Sequence, residues 1–277
     1  MSLYCLLPQC LFQCSSFAWY ITSELQLFLV GVLVVYAFSR SHSFGLKTAL
    51  IILAGSIVIS ISHILFYNLD GSLKIHIINV ANHLSLKEIG FYMSPFPRAG
   101  PYIVGIIAGY VLLEIQKRKL KISMLKRWLI LLGAVAFGVG SQCYTFLFYD
   151  VKRPYYPIEN ALFASLHRTS WALMVAAIIV IHVAWGLGKI VETILAHPIY
   201  IPLGRLTYLA YLVHPNFQLI TLFSGRLPSY CSYLQLIWWG AGDVLVAYLA
   251  ALWLYLILDE PLSIIIGLIV KKKLLKN

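Results

Sequence analysis

Charged side chains are scarce in this sequence: Asp, Glu, Lys and Arg together account for 11% of its 277 residues. A soluble domain of this length carries about a quarter charged residues. Acidic residues are the rarest, 10 in all, whereas apolar residues make up 61% of the chain. This balance argues against an ordinary soluble domain. It predicts an all-α, polytopic transmembrane helix bundle whose membrane domain occupies most of the chain.

Several functional motifs are also missing. No Cys/His spacing typical of a metal site occurs, so we expect no metal. The start lacks the basic region and the cleavage site of a signal peptide. Asn68, Asn79 and Asn82 are not followed by the Ser or Thr that N-glycosylation requires. These absences leave the apolar segments and their rare polar residues as the informative part of the sequence.

Seven apolar segments approach the roughly 20 residues that cross a bilayer as a helix. They cover about 24–39, 45–66, 100–115, 128–148, 160–185, 199–223 and 233–258. Residues 1–18 form a lead, 19–259 the membrane domain and 260–277 a basic tail. Pairs of small residues, such as Gly105 with Gly109 and Gly138 with Gly133 or Gly140, predict close helix packing.

The basic residues predict an orientation. The net charge is +11, and the longest basic run joins the third and fourth spans, at Lys117, Arg118, Lys119, Lys121, Lys126 and Arg127. The positive-inside rule places this run in the cytoplasm, with an exoplasmic N-terminus and a cytoplasmic C-terminus. The charge therefore indicates topology and contact with anionic membrane lipid, and we expect no nucleic-acid partner.

The same topology predicts the location of the five cysteines. Cys5, Cys10, Cys14 and Cys231 fall on the exoplasmic side, where a disulfide is possible, and Cys143 falls within a span. The pairing does not follow from sequence.

Residues 202–217, PLGRLTYLAYLVHPNF, combine an apolar span with a polar stripe. At helical spacing the stripe contains Gly204, Thr207, Tyr208, Tyr211, His214, Gln218 and Thr221. Because a lipid-facing helix has no use for such a stripe, we expect it to face other helices or a water-filled cavity. Pro215 predicts a kink beside His214.

Other spans carry polar residues at membrane depth. The candidate intramembrane cluster is Glu24, Arg98, His167, Arg168, Tyr211 and His214. An arginine costs about 2.5–3.5 kcal/mol at the centre of a membrane helix, which favours a buried partner or a function for Arg168. Glu24 fits an interfacial residue or an ion-pair partner equally well. Arg98 fits either a headgroup anchor or a site residue, and His167 either a core histidine or a site residue.

Four segments resemble one family of membrane proteins. They are RAGPYIVGIIAGYVL at 98–112, SLHRTSWAL at 165–173, PLGRLTYLAYLVHP at 202–215 and DEPL at 259–262. Together with WYITSELQLF from residue 19, they resemble the nose-resistant-to-fluoxetine proteins, which belong to the membrane acyltransferase 3 family. In the family's first motif an Asp is usual where this chain has Glu24.

The resemblance implies transfer of acyl groups, other than amino-acyl groups, from a thioester donor such as acyl-CoA to a lipid or small hydrophobic acceptor, without a bound cofactor. It also places the family's catalytic histidine in N-terminal helices that have no counterpart in this chain. The catalytic residue is therefore left unassigned. The alternatives are a non-enzymatic lipid or drug carrier and a catalytically incomplete fragment. The resemblance leaves a plasma-membrane and an endomembrane location equally open.

Overall fold

The structure, a computed structural model, describes residues 19–72, 86–150, 153–224 and 232–274. These residues form helices joined by turns and contain no strand, which confirms the all-α prediction. The helices are α1 (Trp19–Arg40), α2 (His42–Tyr67), α3 (Leu86–Met93), α4 (Phe96–Arg118), α5 (Met124–Cys143), α6 (Pro157–Trp185), α7 (Lys189–Leu195), α8 (Tyr200–Ser224), α9 (Tyr233–Leu254) and α10 (Glu260–Leu274). A 3₁₀ segment, Tyr144–Tyr149, follows α5, and a π-helical segment, Tyr255–Asp259, joins α9 to α10.

Two compact units divide the chain, Met1–Glu192 and Thr193–Asn277. In the first unit α6 packs against α2, α4 and α5, and α1 packs against α2 and α4. Val34, Ala49 and Ile103 are buried together where α1, α2 and α4 meet. In the second unit α8 packs against α9. Each unit therefore buries side chains between its own helices.

Six helical stretches within the described residues are long and apolar enough to cross a membrane. Their outer surfaces are apolar: Phe66 is 78% exposed and Ile51 is 71% exposed. Exposure of large apolar side chains along whole helices is expected where the surrounding solvent is lipid. The chain is an integral membrane protein of helical architecture.

The sixth predicted span, 199–223, forms a helix, α8, but it is not among these six. Arg205, His214 and Gln218 lower its hydropathy. The polar stripe is largely exposed, since Tyr208 is 53% exposed whereas Ala210 on the other side is buried. That the stripe faces other helices or a water-filled cavity stays a prediction.

The structure corrects three boundaries. Helix α4 begins at Phe96 rather than near residue 100, so Pro97 occupies the first turn and Pro101 lies inside the helix. The stretch between the second and third predicted spans contains α3. The predicted tail from residue 260 is helical to Leu274, and the π-helical segment Tyr255–Asp259 joins it to α9.

A polar cluster at the start of α6 fixes the position of that helix. The Gly71 N–H donates to Asn160 Oδ1 over 2.6 Å, and Arg153 pairs with Glu159 at 2.6 Å. The Tyr155 hydroxyl donates to the Leu69 carbonyl over 3.0 Å. Burial, with a smaller contribution from Asp70, raises the pKa of Tyr155, so its hydroxyl stays protonated as a donor. These bonds tie α6 to the end of α2.

Candidate functional site

A cavity of about 580 Å³ is lined by residues from four helices of the first unit. Helix α1 contributes Tyr20, Glu24 and Leu27, whose i, i+4, i+7 spacing puts them on one face. The other lining residues are Arg98, Pro101 and Tyr102 of α4, Gln142 of α5, and His167, Arg168, Trp171 and Ala172 of α6. The cavity therefore combines apolar and aromatic walls with two cations, one carboxylate and one imidazole.

Four of the six predicted site residues, Glu24, Arg98, His167 and Arg168, line this cavity. Tyr211 and His214 belong to the second unit, and their rings contact each other at 5.6 Å between centroids. The helices that the sequence indicated for Glu24, Arg98, His167 and Arg168 are thus neighbours.

Arg98 lies among three aromatic rings. Its guanidinium carbon is 4.4 Å from the ring centre of Trp19, 5.3 Å from that of Tyr92 and 6.0 Å from that of Tyr20. One Nη donates to the Tyr92 carbonyl over 3.3 Å, whereas Nε is buried and has no hydrogen-bond partner. Aromatic faces attract a cation without neutralising it, so Arg98 keeps an unused donor.

Arg168 approaches the same ring from α6. Its guanidinium carbon is 5.2 Å from the centre of Tyr92, and its Nη1 is buried without a hydrogen-bond partner. Arg168 is eleven residues beyond Pro157, about 16 Å along the helix at ~1.5 Å per residue. Because α6 begins three residues earlier than the predicted span, Arg168 lies deeper in the helix than the sequence indicated.

Among the described residues, Glu24 is the only carboxylate that lines this cavity. Across the described ranges, neither Arg98 nor Arg168 forms an ion pair with Glu24 or with any other acidic residue. Of the two alternatives for Glu24, an interfacial residue or an ion-pair partner, the described residues show no ion pair. Glu24 and the two arginines remain separate charges in one cavity.

His167 is held by its own helix. Its Nδ1 is 2.8 Å from the Phe163 carbonyl oxygen, and its ring stacks on Phe163 with centroids 4.7 Å apart. A carbonyl only accepts, so Nδ1 carries the hydrogen, and in the neutral ring Nε2 is the acceptor. Ser170 and Gln142 both donate to the His167 carbonyl, at 2.7 and 3.2 Å. The histidine is thus fixed in one tautomer beside the cavity.

His214 has a structural role that the sequence did not reveal. Its Nδ1 donates to the Tyr211 carbonyl over 2.7 Å. That carbonyl is four residues before Pro215, which has no N–H to donate to it. The imidazole thus replaces the missing helical hydrogen bond, and α8 remains helical through Pro215. The kink at Pro215 stays a prediction.

Sequence analysis missed several residues of the cavity region, among them Tyr92 and Gln142. Tyr92 contacts both arginines but comes from α3, between two predicted spans, and no sequence signal indicated its position. Gln142 is a polar residue near the end of an apolar span, and that signal was available. Cys143 beside it is an exposed free thiol. The other four cysteines, and so any disulfide between them, lie outside the described residues.

No metal centre occurs in this region of the chain: the described residues contain no group of three His, Cys, Asp or Glu side chains placed to hold an ion. A bundle of apolar helices, with two arginines and a histidine around one cavity, defines a polytopic membrane protein.

Comparison with known proteins adds one similarity. Over 95% of its length the chain is 26% identical to Nose resistant to fluoxetine protein 6 of Caenorhabditis elegans. The match covers 33% of that protein, so this chain spans about a third of the length of its relative. The similarity supports the resemblance to nose-resistant-to-fluoxetine proteins. No family model matches the chain, and no solved structure matches it.

Proposed function

We propose that this protein is an acyltransferase-3-like membrane protein, which moves an acyl group from a thioester donor such as acyl-CoA to a lipid or small hydrophobic acceptor. The cavity of the first unit is the proposed site. One observation carries the proposal: an imidazole fixed with Nε2 as acceptor lines the same cavity as two arginines with unused N–H groups.

These groups have the chemistry that acyl transfer needs. His167 Nε2 accepts the proton of the acceptor hydroxyl, whose oxygen attacks the thioester carbonyl carbon. An arginine N–H donates to the oxygen that becomes negative in the tetrahedral intermediate. The carbon–sulfur bond then breaks, and the imidazolium returns the proton to the leaving thiolate. Of the two arginines, Arg168 is the preferred candidate for that donor, because it follows His167 directly in the sequence.

The test is acyl transfer by the purified full chain in detergent, with labelled acyl-CoA and a mixture of membrane lipids as acceptors. General base catalysis contributes about 10²–10⁴-fold, so His167→Gln should slow transfer at least 100-fold. His197→Gln is the matched control, because His197 is exposed in the connection between α7 and α8. Wild-type protein without transfer, or equal rates in His167→Gln and wild type, would contradict the proposal.

A second function, lipid or drug carriage without chemistry, rests on the apolar wall formed by Leu27, Pro101, Trp171 and Ala172. An apolar wall beside a cationic end accepts an amphiphile without any catalytic group. A carrier would bind a labelled fatty amphiphile saturably, move it between vesicles and keep both properties in His167→Gln. The same variant therefore separates the two functions.

A further inference from the structure

Two arginines share one aromatic ring in the cavity region. The guanidinium carbons of Arg98 and Arg168 are 5.3 and 5.2 Å from the centre of Tyr92, so they are at most about 10.5 Å apart. Each has a buried N–H group without a partner, at Nε of Arg98 and Nη1 of Arg168. Two like charges near one ring, with no acidic partner among the described residues, favour binding of an anion.

The ligand must also suit a carboxylate. Glu24 lines the same cavity, pairs with neither arginine, and is accompanied by the aromatic residues Tyr20, Tyr102 and Trp171. A purely anionic headgroup would be attracted by the arginines and repelled by Glu24. A headgroup that carries both a phosphate and an ammonium group satisfies both charges, because carboxylates and aromatic faces attract ammonium groups.

We propose that this cavity binds the zwitterionic headgroup of a phospholipid. Arg98 and Arg168 bind the phosphate, Glu24 binds the ammonium group, and the start of the acyl chain lies along Leu27, Trp171 and Ala172. The volume of about 580 Å³ lies within the ~300–1,000 Å³ typical of small-molecule sites. The inference rests on the proposed function, in which such a lipid is the acyl acceptor or the carried ligand.

Binding of lysolipids to the purified full chain in a neutral detergent tests this assignment. The probes share one acyl chain and differ in headgroup: lysophosphatidylethanolamine, lysophosphatidylcholine, lysophosphatidic acid and monoacylglycerol. We expect wild-type protein to bind the two zwitterionic lysolipids at least tenfold more tightly than monoacylglycerol. Equal affinity for monoacylglycerol would overturn the proposal.

Substitutions assign each charge. Arg98→Gln and Arg168→Gln should each weaken binding of zwitterionic lysolipids at least tenfold, and Glu24→Gln should shift the preference towards lysophosphatidic acid. Arg40→Gln is the control, because Arg40 is exposed at the far end of α1 and donates only to Tyr36. If Arg168→Gln does not fold, Arg168→Lys keeps the charge but loses the planar donor set, and it should retain part of the affinity. An unchanged preference in Glu24→Gln, or an equal loss in Arg40→Gln, would overturn the assignment.

Different results would contradict the headgroup proposal and the acyl-transfer proposal. Transfer that depends on His167, with lysolipid binding indifferent to both arginines, would remove the headgroup assignment alone. Headgroup-selective binding without any transfer would remove the enzyme and leave the binding site.

Discussion

His214 donates its Nδ1–H to the backbone carbonyl of Tyr211, across 2.7 Å. Pro215, the next residue, is the reason that this carbonyl lacks its usual helical donor. The two residues that make 202–217 conspicuous in the sequence thus compensate each other. His214 stabilises its own helix, and this role needs no ligand.

A double-mutant cycle tests this compensation. His214→Ala leaves the Tyr211 carbonyl without its close donor, at a cost of about 1–3 kcal/mol. Pro215→Ala restores a backbone N–H to the same carbonyl, so His214→Ala should cost less in that background. The measurement is the thermal unfolding midpoint of the four purified proteins. Equal losses in both backgrounds would show that His214 acts independently of Pro215.

The glycines of α5 give a matched pair for helix packing. A Cβ on Gly138 would lie 2.6 Å from Cβ of Met174 on α6, an atom that no side-chain rotation can move away. A Cβ on Gly140 would meet nothing within 4 Å. Gly138→Ala should therefore destabilise the protein by about 1–3 kcal/mol, whereas Gly140→Ala should be neutral or stabilise it by up to ~1 kcal/mol.

Thermal unfolding and monodispersity in detergent would measure both variants. Loss of stability in Gly140→Ala equal to that in Gly138→Ala would mean that α5 and α6 are not as close as the structure has them.

The sequence predicted where the helices lie along the chain better than it predicted which helices pack together. Apolar length identified the spans, because a membrane helix satisfies its own backbone and leaves a continuous apolar signal. Partner choice depends on a few close contacts. Gly105 and Gly109 predicted a close approach, but nothing lies within 4 Å of a Cβ placed on either, whereas Gly138 of the other set does pack closely. Spacing alone did not separate these cases.

The site was predicted in part for the same reason. Glu24, Arg98, His167 and Arg168 are conspicuous because charge is rare in apolar spans. Tyr92 is inconspicuous, since its position beside Arg98 and Arg168 depends on where α3 packs. His214 is conspicuous in the sequence, but a polar residue at membrane depth also serves to satisfy a backbone carbonyl.

We expect Arg168 to contribute to lysolipid binding and to lower the stability of the protein. Its Nη1 is buried without a partner, so Arg168→Met should raise the thermal unfolding midpoint while weakening lysolipid binding at least tenfold. Arg127 is the contrasting arginine: it donates to the Trp185 carbonyl over 2.8 Å and twice to that of Ile122. Arg127→Met should lower the midpoint, because each lost charged hydrogen bond costs about 1.5–3 kcal/mol. A lower midpoint in Arg168→Met would indicate a structural role instead.

The last prediction concerns the orientation of the chain in the membrane. The side on which the C-terminus lies depends on whether α8 crosses the membrane. If α8 crosses, His197 before it and Ser224 at its end lie on opposite sides, and the positive-inside rule puts Lys121 and His197 in the cytoplasm. Single cysteines at Lys121, Pro154, His197 and Ser224, in a chain whose native cysteines are replaced by serine, report this in sealed microsomes. An impermeant maleimide should label Lys121→Cys and His197→Cys directly, and Pro154→Cys and Ser224→Cys only after detergent. Direct labelling of Ser224→Cys together with His197→Cys would mean that both ends of α8 lie on the cytoplasmic side, so that the N- and C-termini would both be exoplasmic.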